Sequence, residues 1–508
     1  MPTSPTTRWL AGLSLLAILL FSAFLWLRPI LSIGGGYAAK HACSCHFLQG
    51  RALDEISSND LNFSVLGWYG LTVDSNLIPE ELLEELPQIS PQAFGLFLPK
   101  QVTSSLFGII ERRAVYRRGI GCTLITDEDY PTPWLDASWT AYPPLVMPLP
   151  TGSYRAPLDT ALLWGGSAGA SYFAAEPEAF FLTGRDSTVD VADQRYSSEL
   201  EAALDYGMQP VPGGSARGIV ILQDGKLVAE RYAEGYTANT PLLGWSMTKT
   251  LTGLLVGTLT PTPSADKGSF ATVGGRRGLF PELWTDKRRE ISLADLLHMN
   301  SGLAWNEGYG TLTDATVMLH ERPDFADFAL RSQLTELPGT YWAYSSGTSN
   351  ILMEYLRREV GGNDALYGLI DSVFGKVAPS LLIEPDQSGR PVGSSYGWAT
   401  ARDWARLGQL MLQDGVWDGD TLLPAGWVDF MREPAAGSEG VYGGHLWLPG
   451  PDIPALPADA YMMRGFQDQR VFIVPSRNMV IARLGHGEDK VTDFDGLVSR
   501  ILTAAAGS

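Results

Sequence analysis

Ser246-Met247-Thr248-Lys249 stands at the front of an apolar run, and its two ends could carry acyl transfer. A serine hydroxyl attacks once a base takes its proton, and a lysine amine can be that base when burial lowers its pKa. From Thr250 to Leu259, Leu251, Leu254, Leu255 and Leu259 recur at helical spacing. That spacing predicts a helix with Lys249 beside Ser246, one turn on. The N-terminus of such a helix aims backbone N–H groups at the place where an oxyanion would form. The same spacing at Ser264 and Lys267 lies in a Pro/Gly/Ser/Asp stretch and reads as a loop coincidence. Proton delivery to a leaving group needs a second acid/base. Tyr344-Ser345-Ser346 is the candidate, between a Pro338-Gly339-Thr340 turn and a helical pattern from Asn350 to Arg358. A second Tyr-Ser-Ser, Tyr196 to Ser198, sits in a charged stretch and reads as a solvated helix.

These groups need elements to hold them. Two alternating segments between Arg217 and Tyr232 flank Asp224-Gly225, which predicts a hairpin closed by a type I′ turn. A hairpin, a short connection and then the Ser246 helix is a specific order. Residues 261 to 290 hold the Ser264 copy and a Gly274-Gly275-Arg276-Arg277-Gly278 string, and read as a surface insertion. Lys287-Arg288-Arg289 reads as solvated surface. His298, His320, His445 and His486 lack metal spacing and read as satisfied or surface positions. Trp305, Trp342, Trp398 and Trp447 read as aromatic core, with cleft lining as the alternative. Tyr442 to Trp447 could form a rim.

The chain has 508 residues and a formal net charge of -19, which argues against electrostatic binding of nucleic acid. Trp9 to Leu27 carries no charge and is bounded by Arg8 and Arg28, long enough to cross a bilayer. An uncleaved anchor is favoured over a signal peptide, because Tyr37-Ala38-Ala39 puts a bulky residue where a cleavage site wants a small one. Either way the remainder is expected outside the inner membrane, in the periplasm or beyond. With 3 cysteines in an exported chain, Cys122 is expected to pair with Cys43 or Cys45. His41-Ala42-Cys43-Ser44-Cys45-His46 carries metal-type donors, but lacks a second ligand cluster, so no metal is assigned. The chain divides into an anchor or signal segment (1–32), a strand-leaning accessory unit with a proline-rich linker from Pro131 to Pro150 (33–164), and a main domain (165–508).

The main-domain motifs, in this order, resemble the serine β-lactamase / penicillin-binding-protein-like superfamily. They are the hairpin, the Ser-x-x-Lys helix, Leu296 to Leu303, and Pro-Gly-Thr with Tyr-Ser-Ser. Ser394 to Gly408 resembles that family's helical-domain segment, and Phe472 to Pro475 with Val480 to Leu484 its closing antiparallel strands. The likeness covers about 205 to 505. It is nearest the class C-like branch of family VIII-type esterases, D-amino-acid peptidases and 6-aminohexanoate-oligomer hydrolases. It implies an α+β fold, an antiparallel sheet flanked by helices plus a helical subdomain, and a serine esterase or amidase without cofactor acting on a small ester or amide. It implies Ser246 as the acylated nucleophile, Lys249 as its activating partner and Tyr344 as general acid/base. Ser346 falls where the motif's third position lies. The Lys-Thr-Gly motif is absent; Tyr461-Met462-Met463-Arg464-Gly465 stands in its place, with Arg464 as a replacement cation and Gly465 beside the oxyanion. No glutamate is assigned to deacylation. A β-lactamase or D,D-peptidase, and a non-catalytic binding protein on the same fold, are the alternatives.

Overall fold

The computed structural model describes residues 5–62, 64–74, 100–117, 119–132, 198–261, 270 and 275–506. Pro133 to Pro150, Tyr196 with Ser197, and the Ser264–Lys267 copy lie outside the described residues.

Helix α1 (Pro5–Gln49) runs unbroken for 45 residues, with Pro29 inside it. Before Pro29 its side chains are mostly exposed and apolar; beyond residue 34 most are buried. The buried half is built of small residues: Gly34, Gly35, Gly36, Ala38, Ala39 and Ala42. They let a sheet approach closely, since a Cβ on Gly35 would meet the Arg112 side chain at 3.0 Å. That sheet follows the short helix α2 (Leu53–Asn59) and is antiparallel in chain order: β1 (Gly70–Asp74), β2 (Lys100–Leu106), β3 (Ile110–Arg117) and β4 (Gly121–Ile125). Val102, Ser104 and Leu106 alternate inward toward α1, as a half-buried strand requires. Cys43 of α1 is bonded to Cys122 of β4, while Cys45 is a buried free thiol.

The second unit opens with α3 (Ser198–Met208), whose Leu200, Ala203 and Leu204 pack inward. The hairpin follows as β5 (Gly214–Gln223) and β6 (Lys226–Tyr232), with Asp224 and Gly225 at φ +52° and +74°, the type I′ geometry. Next come α4 (Met247–Thr258), α5 (Leu293–Leu297), α6 (Asp314–Glu321), α7 (Phe325–Leu330), α8 (Ser346–Val360), α9 (Asn363–Phe374) and α10 (Ala401–Leu412). The closing strands are β7 (Tyr461–Gly465), β8 (Gln469–Val474) and β9 (Met479–Gly487), then α11 (Phe494–Ala506). Five strands form one antiparallel sheet ordered β7-β8-β9-β5-β6. Its side chains alternate between two cores. Val220, Leu222, Val471, Ile473, Val480 and Ala482 face α4 and the helical region. Ile219, Ile221, Phe472, Val474 and Ile481 face α3 and α11.

Two expectations are corrected. Ser394 to Gly408 does not belong to the helical subdomain: α10 lies on the sheet, where a Cβ on Gly408 would meet Val480 and Val471 at 2.7 and 2.8 Å. The 261–290 stretch is not merely superficial, because Phe270, Phe280 and Trp284 are buried in the main core.

The two units are joined by buried charge. Glu384, fully buried, pairs with Lys40, accepts from Ser44 Oγ at 2.9 Å and from the Cys122 N–H at 2.6 Å. Asp60, also fully buried, takes Arg51 and His41 from its own unit and Arg217 from the other. His41, Cys45 and Asp60 bring three metal-type donor atoms within 4.8 Å of one another, though two guanidiniums already occupy the carboxylate. Removing one partner of a buried ion network leaves the other charges unpaired, which costs about 3–5 kcal/mol. Asp60→Ala is therefore expected to lower the thermal unfolding midpoint sharply. Asp205→Ala, which breaks a pair whose aspartate is 65% exposed, should cost under about 1 kcal/mol. Equal small shifts in circular dichroism melts would show that Asp60 does not hold the units together.

Candidate active site

Ser246 caps the N-terminus of α4, and its position is set by the turn before it. Trp245 is held at φ +48°, a left-handed conformation that a bulky side chain adopts only under constraint. Its ring is fixed by an Nε1 hydrogen bond to Gln467 at 3.0 Å and by Tyr37 of α1, stacked at 6.1 Å. Gly244 must be a glycine here: a Cβ would meet the Trp404 ring at 2.2 Å. Gly465, at the end of edge strand β7, is likewise required, because a Cβ would meet the Gly244 carbonyl at 2.1 Å. The strand that stands in place of the missing motif thus passes directly beside the serine turn.

Lys249 lies one turn along α4 and is buried. Its Nζ is 3.0 Å from Ser246 Oγ, 2.9 Å from Ser346 Oγ and 3.1 Å from the Ser394 carbonyl. Burial pushes the amine down to about 8, against the opposing pull of the Glu307 carboxylate. Ser346 is the first residue of α8, whose cap is Ser345 Oγ accepting from Thr348 N–H at 3.0 Å. Tyr344 lies just ahead, its ring centroid 4.8 Å from Lys249 Nζ and packed against Trp447 at 5.3 Å. Burial, then the charge of Glu307, raises the Tyr344 phenol well above its ordinary range, while a hydrogen bond with Ser246 pulls the other way. At neutral pH the phenol is protonated.

The sequence expectations thus meet in space: Ser246, Lys249, Tyr344 and Ser346 converge, and Gly465 borders them. Arg464 reaches the edge, its guanidinium 4.9 Å over the Trp447 ring and its charge felt by Tyr344. Cys43, Cys45 and Cys122 belong to the α1–β4 junction instead. His445 is a satisfied core residue between the Leu297 carbonyl (2.6 Å) and Ser349 Oγ (2.9 Å). Trp398 is buried, donating to Glu384 at 2.8 Å, whereas Trp447 and Trp305 take part in the site.

Sequence reasoning missed Glu307. It accepts from the Ser346 N–H at 2.8 Å, from Ser346 Oγ at 2.5 Å, from Trp305 Nε1 at 2.5 Å and from the Tyr309 hydroxyl at 2.7 Å, and lies 3.8 Å from Lys249 Nζ. Asn306 N–H donating to Asp314 at 2.8 Å pins the loop that carries it. The only signal was a carboxylate set between aromatics, Trp305-Asn306-Glu307-Gly308-Tyr309. Tyr309, Phe466 and Trp245 then form an aromatic wall, with ring centroids 5.0 and 5.8 Å apart in succession.

A 6-aminohexanoate-dimer hydrolase from Paenarthrobacter ureafaciens is 26% identical over 309 residues, 56% of this chain and 76% of that protein. The putative 6-aminohexanoate-dimer hydrolase from Bacillus anthracis superposes with a TM-score of 0.47 at 20% identity, over 63% of this chain and 85% of that one. A family VIII carboxylesterase superposes with a TM-score of 0.47 at 14% identity, over 62% and 98%. The Beta-lactamase family model matches residues 200–506, from the first turn of α3 to the last residue of α11, and the chain therefore belongs to the beta-lactamase family.

Proposed function

We propose that this protein is a serine hydrolase that cleaves an ester or amide bond of a small substrate through an acyl-enzyme on Ser246. The observation that carries this reading is the buried Lys249 amine, aimed at Ser246 Oγ from 3.0 Å. In its neutral form the amine has two N–H donors and one lone pair. The Ser346 hydroxyl donates its own proton to Glu307, so its oxygen is free to accept one Lys249 N–H, and the Ser394 carbonyl accepts the other. The lone pair is left facing Ser246.

Lys249 takes the Ser246 proton as Oγ attacks the carbonyl carbon. The oxyanion is held by the Ser246 N–H and by the backbone of β7 at Gly465. Protonated Tyr344, its ring beside the Lys249 amine, hands a proton to the leaving oxygen or nitrogen and is restored from Lys249. Water then repeats the attack on the acyl-enzyme. The hydrolysis named for the curated relative, a 6-aminohexanoate-dimer hydrolase, fits this sequence of steps. Arg464, lying over Trp447, is the cation that takes an acidic substrate group. The exposed apolar half of α1 and the Cys43–Cys122 bridge support an exported, membrane-held hydrolase.

A fluorophosphonate probe should add once to the folded protein and not at all to Ser246→Ala, read by intact-protein mass spectrometry. An adduct that survives in Ser246→Ala would place the nucleophile elsewhere. Because the base must be neutral, kcat/KM for an ester should rise about tenfold per pH unit below about 8 and level off above it. Glu307 stabilises the ammonium form, so Glu307→Gln should move that acidic limb to lower pH. An unmoved limb in the pH–rate profile would remove Lys249 as the base. Arg464→Ala should raise KM at least tenfold for esters bearing a carboxylate and leave neutral esters unchanged. Equal loss on both would assign Arg464 to packing.

A further inference from the structure

The hairpin between β2 and β3 has a turn of unusual composition. Polar residues and glycine normally fill such turns. Here Leu106-Phe107-Gly108-Ile109 closes with the Ile109 N–H on the Leu106 carbonyl at 3.0 Å, and Phe107 sits in the left-handed region at φ +53°. A bulky residue in that region is strained. Phe107 is nonetheless 79% exposed and Ile109 66% exposed, and nothing among the described residues covers either. Trp68, next to Tyr69, is 61% exposed.

Their height along α1 can be read from the contacts. Lys100, at the start of β2, lies 5.9 Å over the Phe47 ring near the end of α1, and Ser104 Oγ donates to the Gly35 carbonyl at 2.7 Å. Strand β2 thus runs antiparallel to α1. From Ser104 to Phe107 the strand advances about 10 Å. From Gly35 back to Arg28 the helix retreats about 10 Å. Phe107 and Ile109 therefore stand level with Arg28, where the uncharged stretch Trp9–Leu27 ends. The Tyr69 hydroxyl bonds the Leu31 carbonyl, which puts the short 3-10 turn ending at Trp68 at the same level, and Phe24 and Leu31 pack against this unit's core.

We infer that Trp68, Phe107 and Ile109 form an apolar rim around the emergence of α1 that dips into the headgroup layer of the bilayer, seating the α1–β4 unit on the membrane. The inference rests on the reading of α1 as membrane-spanning. The occupant is lipid because the rim is continuous with the exposed apolar face of α1, whose side chains from Leu13 to Leu27 are mostly half or more exposed. An aromatic side chain at that depth belongs to the interfacial belt.

The test uses the full chain in phosphatidylcholine vesicles. Phe107→Cys carries an environment-sensitive nitrobenzoxadiazole label, and Asn239→Cys, exposed near the far end of α1, carries the same label as a control. Cys45 is buried and Cys43 and Cys122 are bridged, so the introduced thiol is the reactive one. The label at 107 should shift to the blue and be quenched several-fold more than that at 239 by lipid carrying a headgroup-level nitroxide. Ile109→Cys gives the same readout if the Phe107 variant fails to fold. Vesicle-bound protein with both labels equally open to aqueous iodide would overturn the rim and leave the anchor standing. Protein that does not float with the vesicles would overturn the anchor, and the rim with it.

Discussion

A primary amine sealed inside a protein is the constraint from which the site is built. Lys249 has given up water, and burial alone would favour its neutral form. It remains tolerable because three oxygens and a carboxylate surround it, each delivered by a different element. Ser246 comes from the start of α4, Ser346 from the start of α8, Ser394 from the segment before α10, and Glu307 from a pinned loop. The packing of α4 against α8, and of α4 against β7, holds these oxygens within hydrogen-bonding reach. The strained Trp245 and the two glycines at 244 and 465 are the local cost of bringing backbone so close to the serine.

The same logic recurs away from the site. Glu384 and Asp60 are carboxylates removed from water, and each is satisfied by groups from both units. Such a network is weak evidence for stability compared with an apolar replacement, yet it specifies one docking geometry, because any other leaves charges unpaired. The outcome reaches the nucleophile, since α1 places Tyr37 against the Trp245 ring.

What was legible in the sequence was periodic or local. The Ser246 helix, the Asp224-Gly225 hairpin and the closing strands follow from spacing and turn chemistry, and the Ser246, Lys249 and Tyr344 cluster from residue types in order. Glu307 was not legible, because a loop carboxylate 58 positions beyond Lys249 gains meaning only when the fold turns it inward. Ser394 was also hidden, since it acts through its backbone carbonyl, which every residue has. The choice between Cys43 and Cys45 needed three dimensions too. Two residues apart on a helix they point about 200° from each other, so only one faces β4. Α10 was misplaced because its amphipathic pattern suits a helical layer and a sheet face equally.

The junction between the units also changes what counts as the catalytic part. The region shared with the family begins at residue 200, but the packing around it does not. A chain cut at that point would keep every residue of the site and lose Lys40, Ser44 and the Cys122 amide, the groups that neutralise and orient the Glu384 carboxylate. It would also uncover Trp398 and strip the stacked ring from Trp245. The length of chain that matches the family and the length that is packed as one body are therefore different. The longer one includes a stretch of helix that, read by composition alone, belongs to the membrane.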